Sequence, residues 1–345
     1  MSYQNNNEIR SSPCPKCYVC GTLGESLYVN LKDRLFGAAG NWNLKKCPNR
    51  ECGLVWLDPM PLKEDIIKAY ENYFTHNEAA KTSYSREYLM VKEGFLAYRY
   101  GYRRGSVSNW KKLFGLLVYF HPRLRADFDA SVMFVHAEPK GRLLDVGCGS
   151  GSLLQTFANI GWQTVGIDFD PVAVERARSK GLQVRCGSLE GQEFPANYFD
   201  VIIMSHIIEH VYDPLEQLRE CYRILKPGKY MVLVTPNINA LSHRRFKEAC
   251  RLLEPPRHLH IFSPQALRCL SEKAGFQRLK LITTIHKAHN IYLSSRIIQR
   301  SEHNVFSSTR KCNLHRWARF MQLIEWMILR LKPDVGTEIT LIGYK

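Results

Sequence analysis

The 345-residue sequence has no long apolar run: its longest uncharged apolar stretch is "LFGLLVYF", Leu113 to Phe120. A membrane-spanning helix needs ~20 such residues, so none is expected. The chain opens on the polar "MSYQNNNEIRSS" with no apolar core segment behind it, which leaves a secretory signal or transit peptide without support. Acidic residues are scarce, 32 Asp and Glu against 48 Lys and Arg, for a net charge of +16. Disulfide-framework spacing is also missing. The eleven cysteines are odd in number, five fall in the first 52 residues, and the rest are scattered singly through apolar segments. That distribution suits a reducing cytoplasm and one metal-type cluster. There is no internal repeat and no low-complexity tract. What remains is a globular chain with 45% hydrophobic residues, enough for a full core over roughly two domains.

The positive charge is concentrated. Residues 86–125 hold nine Lys/Arg against two Asp/Glu, and residues 278–319 hold nine against one, whereas the stretch between them is nearly balanced. Two basic flanks of this kind attract an anionic partner or simply present solvated helix faces. In the first, "AYRYGYRRG" interleaves tyrosine with arginine. From the end of the second onward, Leu314, Trp317, Phe320, Met321, Ile324, Met327, Ile328 and Leu331 recur at helical spacing among Arg316, Arg319, Arg330 and Lys332. A basic amphipathic helix either packs on a neighbouring domain or lies on an anionic membrane surface.

By pattern the chain divides into a cysteine-rich head over 1–60, a basic helical linker or cap over 61–135, and an α/β region over 136–345 with a helical insertion at about 284–334. In the last region the β-branched runs "RLLDV", "QTVGID", "QVRC", "FDVIIMS" and "KYMVLVT" alternate with segments of helical period. Such alternation predicts a mostly parallel sheet with helices on both faces. Asp213-Pro214 and Ser263-Pro264 mark helix starts, and Lys226-Pro227-Gly228 and Gly275 mark stops. "RLKLIT" at 278–283 and "TEITLIG" at 337–343 close the strand set.

The decisive stretch is "RLLDVGCGSGSLLQTF", Arg142 to Phe157. A strand ends in the acid Asp145 and is followed by Gly147, Gly149 and Gly151. Glycine admits positive φ and lets a ligand approach with no Cβ in the way. The third glycine comes one residue too early for the dinucleotide G-x-G-x-x-G pattern, and no lysine follows as in the nucleoside-triphosphate loop. Both phosphate cradles are therefore disfavoured. D-x-G-x-G-x-G after a first strand instead resembles the signature of class I S-adenosylmethionine-dependent methyltransferases. The resemblance implies a Rossmann-like seven-stranded sheet, a loop of Gly147, Cys148, Gly149 and Gly151 around the methionine part of the cofactor, and Asp145 near its ammonium group. It also implies that Asp168, which ends the second strand 21 residues after Gly147, accepts the ribose hydroxyls. Phe169, Ser188, Leu189 and Ser205 fall at the remaining cofactor-lining positions of the family. Ser188 stands where many relatives have an aspartate that contacts the adenine.

A sulfonium methyl group is already activated, so an enzyme need only align a nucleophile with it and remove a proton. Groups for this are expected at the carboxyl ends of strands four and five. "SHIIEHV" supplies His206, Glu209 and His210; "PPRHLHIFSP" supplies His258 and His260. In relatives that this chain resembles, the Glu-His pair has a general-base or metal-supporting role. A carboxylate beside an imidazole raises its pKa and orients it.

In the head, Cys17-x2-Cys20, a 26-residue spacer and Cys47-x4-Cys52 can close a tetrahedral Zn2+ site of ribbon type, with Cys14 as the spare or an alternative ligand. Four thiolates leave no open position, so the ion is expected to be structural. A cysteine head ahead of such a core resembles a bacterial group of sugar and glycan methyltransferases. The expectation is therefore a cytoplasmic enzyme, with peripheral membrane contact as a second location, that methylates oxygen or carbon of a small-molecule, sugar, glycan or lipid-linked anionic acceptor. RNA or protein methylation, or a cofactor-binding scaffold without catalysis, are the alternatives. No RNA-binding module signature is present, which places nucleic acid lower among the partners.

Overall fold

A computed structural model describes residues 8–71, 84–102, 109–300 and 308–345. Arg103 and Arg104 of the tyrosine–arginine stretch lie outside the described residues. The head contains β1 (Ser11–Ser12), β2 (Glu25–Leu31), β3 (Trp42–Lys46), β4 (Val55–Leu57) and β5 (Met60–Pro61). Helices α1 (Arg86–Tyr100), α2 (Asn109–Leu116) and α3 (Pro122–Ser131) follow. Then come β6 (Arg142–Val146), α4 (Ser152–Ala158), β7 (Gln163–Asp168), α5 (Pro171–Ser179), β8 (Val184–Cys186), β9 (Phe199–Ser205), α6 (Pro214–Ile224) and β10 (Leu225–Pro236). The chain continues through α7 (Leu241–Phe246), β11 (His260–Ile261), α8 (Pro264–Lys273), β12 (Gln277–Thr284), α9 (Ala288–Arg300), α10 (Ser308–Leu329) and β13 (Glu338–Tyr344).

Seven strands form one sheet in the order β12-β13-β10-β9-β6-β7-β8. Strands β6 to β10 pair in parallel, and β13 inserts antiparallel between β10 and β12. The strand order reverses between β6 and β9, the switch point at whose carboxyl edge an open α/β sheet binds its ligands. The near-continuous apolar runs foreseen in the sequence follow from burial on both faces: β9 is buried through Met204, and Met231 to Val234 of β10 are buried throughout.

The helix starts behave as their punctuation requires. Asp213 caps α6 by accepting the Glu216 N–H at 2.9 Å, and Ser263 caps α8 by accepting the Ala266 N–H at 3.0 Å. Each cap is worth about 1 kcal/mol. The Lys226-Pro227-Gly228 segment, expected as a stop, does end α6, but it does so inside β10, where the register to β9 breaks between Leu225 and Tyr230.

Two findings depart from the pattern reading. The apolar stripe expected on α10 is split: Met321 is buried, whereas Phe320, Met327 and Leu331 are exposed. Polar anchors turn the helix. Gln322 donates to the Ile285 carbonyl at 2.8 Å, and Glu325 accepts from the Thr337 N–H at 2.8 Å and from the Tyr292 hydroxyl at 2.8 Å, so these residues take the inward face. The head, moreover, is stitched to the α/β region. β11, from the loop after β10, pairs antiparallel with β4 as the outer strand of a four-stranded sheet, and one hydrophobic core runs from Leu44 and Trp56 to Ile261 and Phe262. Among the described residues no helix is long and apolar enough to cross a membrane.

Candidate functional site

The glycine loop after β6 performs three different jobs. At Gly147 (φ +77°) a Cβ would lie 2.1 Å from Ile207 Cδ1, so only glycine lets the loop after β9 close against the loop after β6. At Gly151 (φ +77°) a Cβ would meet Leu182 at 2.4 Å, where the start of α4 packs beside α5. Gly149 (φ +51°) has nothing within 4 Å of such an atom: its open face is a cradle that a side chain would fill. The Gly149 N–H donates to Asp168 Oδ2 at 2.7 Å, and the Asp170 N–H donates to Asp168 Oδ1 at 3.0 Å. The carboxylate is thereby locked in orientation, with a second lone pair left on each oxygen. Burial pushes the Asp168 carboxyl up against these two bonds.

Asp145, 4% exposed, has no hydrogen-bond partner for its carboxyl among the described residues. Burial, with the nearby charge of Asp168, pushes it up to about 7. It opens onto a cavity of about 340 Å3 that Gly147, Cys148 and Ser205 also line. Asp168, Phe169, Gly149, Gly151, Ser188 and Leu189 lie outside this cavity. Leu189 is buried, and Phe169 is exposed with its ring edge-on to Tyr70.

Of the five residues expected to supply catalysis, the structure brings His206 alone to the cavity wall. It follows β9 with φ +56°, in the left-handed region that a non-glycine residue occupies under constraint, and its N–H donates to the Val234 carbonyl at 2.8 Å. Its Nδ1 lies 3.2 Å from Glu209 Oε1 and its Nε2 3.3 Å from Glu338 Oε1. Burial disfavours the cation, but bonds to two carboxylates outweigh it, and the imidazole rises to about 10. Both nitrogens of His206 are thus engaged by carboxylates, which leaves no lone pair directed at the cavity. Glu209 is fully buried, and its other oxygen accepts from the Thr235 hydroxyl at 3.0 Å. Burial opposes its ionisation, but His206 holds it down to about 2.

The remaining three histidines are tied to backbone. His210 Nδ1 donates to the Arg257 carbonyl at 2.9 Å, with the Tyr70 hydroxyl 3.1 Å away; His258 donates to the Leu252 carbonyl at 2.7 Å and His260 to the Val211 carbonyl at 3.1 Å. Burial lowers all three, His260 to about 4. They face one another and the head. Of the two histidine clusters expected at the ends of strands four and five, only His206 lines the cavity, and His210, His258 and His260 lie behind its wall. Glu209, His210 and His258 do bring ligand atoms within 4.8 Å of one another, but both Glu209 oxygens are already engaged.

Several cavity residues were not foreseen. Glu338 and Thr340 come from β13, Thr284, His286 and Lys287 from the end of β12, and Ala126, Ala130, Met133 and Phe134 from α3 and the turn after it. Only Glu338, an acid opening an otherwise apolar strand, carried a sequence signal.

In the head, Cys17, Cys20, Cys47 and Cys52 place all four sulfurs within 4.8 Å of one another, with Cys17 and Cys52 3.6 Å apart and Cys20 and Cys47 3.4 Å apart. A tetrahedron with Zn–S bonds of about 2.3 Å has edges of about 3.8 Å, so the donor set fits. Cys14 lies apart, its carbonyl accepting from Trp56 Nε1 at 2.7 Å. The second knuckle reaches the α/β region through the Ser263 hydroxyl, which donates to the Cys52 carbonyl.

Residues 120–281 match the family described as a methyltransferase domain. A ubiquinone biosynthesis O-methyltransferase of Cereibacter sphaeroides is 36% identical over 132 residues, 36% of this chain and 53% of the relative. One from Ruegeria pomeroyi is 34% identical over 133 residues, 37% of this chain and 54% of the relative. The chain thus spans about half the length of the curated relatives it matches. Among solved structures, phosphoethanolamine N-methyltransferase 2 of Haemonchus contortus, in complex with S-adenosyl-L-methionine, is similar at a TM-score of 0.45 and 17% identity, covering 89% of this chain and 70% of that one.

Proposed function

We propose that this chain transfers the methyl group of S-adenosylmethionine to an oxygen atom of a small-molecule acceptor. The observation that carries the reading is the open cradle at Gly149 between two buried acids, Asp145 and Asp168. Asp168, held by two backbone N–H groups, suits a pair of ribose hydroxyls, and the unpartnered carboxyl of Asp145 suits an ammonium group. When bound, the cofactor supplies a methyl group on a positively charged sulfur. Exposed Phe169 offers apolar surface for the adenine, with Ser188 and buried Leu189 on the following strand's loop; Cys148 and Ser205 complete the pocket from the cavity wall, and Gly151 shapes the turn into α4.

The relatives' names favour oxygen over carbon as the methylated atom. A sugar, glycan or lipid-linked acceptor is the narrower form of this proposal, favoured by the basic flanks, and exposed Phe320, Leu323 and Met327 beside Arg330 give a lipid-linked acceptor a surface to approach. The Glu209–His206–Glu338 chain holds the cavity wall, and His210, His258 and His260 support it from behind. The three-part division of the chain belongs to the same reading: the head, carrying a structural Zn2+ on Cys17, Cys20, Cys47 and Cys52, braces the loop of His258 and His260 through β11, and the helical segment caps the cavity. Incubation with tritiated S-adenosylmethionine and fractionated extract of the source cells tests it. Label in a low-molecular-mass fraction supports the reading, and label in RNA, in protein or in nothing refutes it.

A further inference from the structure

A transfer to oxygen needs a group that takes the hydroxyl proton, and the loop after β9 does not provide one. Both nitrogens of His206 are taken by Glu209 and Glu338, and His210, His258 and His260 do not line the cavity. A different histidine does. His286, between β12 and α9, lines the cavity beside Thr284 and Lys287. Its Nδ1 lies 3.1 Å from Oδ1 of Asp127 on α3, whose neighbours Ala126 and Ala130 line the same cavity. Arg123, one turn earlier on α3, holds the other oxygen of Asp127 at 3.6 Å. The His286 backbone is tied as well, its N–H donating to the Thr284 hydroxyl at 3.4 Å. Nε2 of His286 has no partner among the described residues.

Resting on the transferase reading above, we infer that His286 is the proton acceptor of the reaction and Asp127 its positioning residue. A carboxylate that accepts from Nδ1–H fixes the tautomer in which Nε2 carries a lone pair, the arrangement a general base requires. As the acceptor hydroxyl oxygen forms its bond to the methyl carbon, the carbon–sulfur bond breaks and its electron pair stays on sulfur. The hydroxyl proton passes to Nε2. The products are a methyl ether, S-adenosylhomocysteine and an imidazolium paired with Asp127, which returns its proton to solvent. No oxidant, metal or further reactant is needed. The helical segment before the α/β region thereby takes part in the chemistry, because α3 brings the carboxylate to a histidine 159 positions later in the chain. The charged groups around His286 are Asp127 and Arg123 from α3, its neighbour Lys287, and Glu338 from β13.

Two measurements on the full-length protein test it. In the first, long-range 1H–15N correlation spectra of histidine-labelled protein at pH 8, with the His286 signal assigned by its loss in His286→Gln, report the tautomer. The Nδ1–H form is expected in the wild type and the Nε2–H form in Asp127→Ala. An Nε2–H form in the wild type, or a tautomer unmoved by Asp127→Ala, overturns the inference. In the second, label transfer from tritiated S-adenosylmethionine to extract fractions is compared between wild type and His286→Gln, with S-adenosylhomocysteine binding followed by calorimetry in both. A fall of about 10^2- to 10^4-fold in transfer with binding unchanged is expected. Undiminished transfer in the variant overturns the base and leaves the transferase reading standing, whereas binding without transfer in the wild type overturns both.

Discussion

Replacing Asp145 by asparagine should make the protein more stable and worse at binding its cofactor. In the ligand-free fold the carboxyl titrates at about 7, against an ordinary value of 3.8, because burial and the charge of Asp168 oppose ionisation. The folded state therefore holds this proton more tightly than the unfolded state. Below about pH 4 the group costs nothing; as the pH rises through 4 to 7 the unfolded chain gains by ionising, and the penalty is complete by pH 8. Its upper bound is about 4 kcal/mol, and relaxation with water entry from the cavity reduces this to about 1–3 kcal/mol. Asparagine removes it, so the melting temperature at pH 8 should rise by about 1–4 °C for a chain of this length, with no gain at pH 4. Binding moves the opposite way. Loss of a charge-assisted bond of about 1.5–3 kcal/mol weakens S-adenosylhomocysteine by about 10- to 150-fold. Wild-type affinity should also fall about tenfold for each pH unit below 7, as binding must expel the proton, whereas the asparagine variant should show no such slope. Calorimetry and thermal melts at pH 6 and 8 provide both readouts. A variant that binds as well as the wild type, or that is less stable at pH 8, would refute the assignment of Asp145 to a buried ammonium site.

Other consequences follow from single distances. Gly147→Ala places a methyl group 2.1 Å from Ile207 Cδ1 at positive φ; a loss of about 1–3 kcal/mol in chemical unfolding is expected, together with weaker cofactor binding as the loop after β9 is pushed away. His206→Gln leaves Glu209 and Glu338 without their shared cation. Breaking a buried pair costs about 3–5 kcal/mol, and because 44% of this side chain faces the cavity a loss of about 2 kcal/mol is expected in denaturant melts at pH 7. The His206 contribution is fully present below pH 6.5 and fades as the pH rises through about 10. Purified protein should contain one Zn2+ per chain by atomic emission, and Cys47→Ser should lose it and raise proteolytic sensitivity at β11; metal content unchanged in that variant would exclude the four-cysteine site.

The parts of this architecture that depend on neighbours in the chain were legible. Period and punctuation mark β6 to β10 and the starts of α6 and α8 because strand burial and helix caps are local requirements. The glycine spacing after Asp145 is readable for the same reason, because positive φ at Gly147, Gly149 and Gly151 is a requirement of the local backbone; that Gly147 and Gly151 also make room for Ile207 and Leu182 is not readable. Long-range placement is not. Nothing near "TTIHKAH" says that His286 meets Asp127, and Glu338 reaches His206 only because β13 inserts between β10 and β12. The second histidine loop departs from its pattern for a related reason. Adjacent histidines on an extended segment look alike in sequence, and pairing of β11 with β4 decides that His258 and His260 turn towards the head. On α10 the periodic apolar stripe is less informative than the buried Glu325 and Gln322, whose hydrogen bonds fix the helix face.

Equilibrium binding of S-adenosylhomocysteine to the folded protein, compared with Asp168→Ala, tests the cradle most directly. One molecule bound per chain, with affinity at least tenfold weaker in the variant while its fold is retained, is the result expected when both oxygens of Asp168 face the ribose. Equal affinity in the two proteins, or no heat with a wild-type chain shown to be folded, would contradict it.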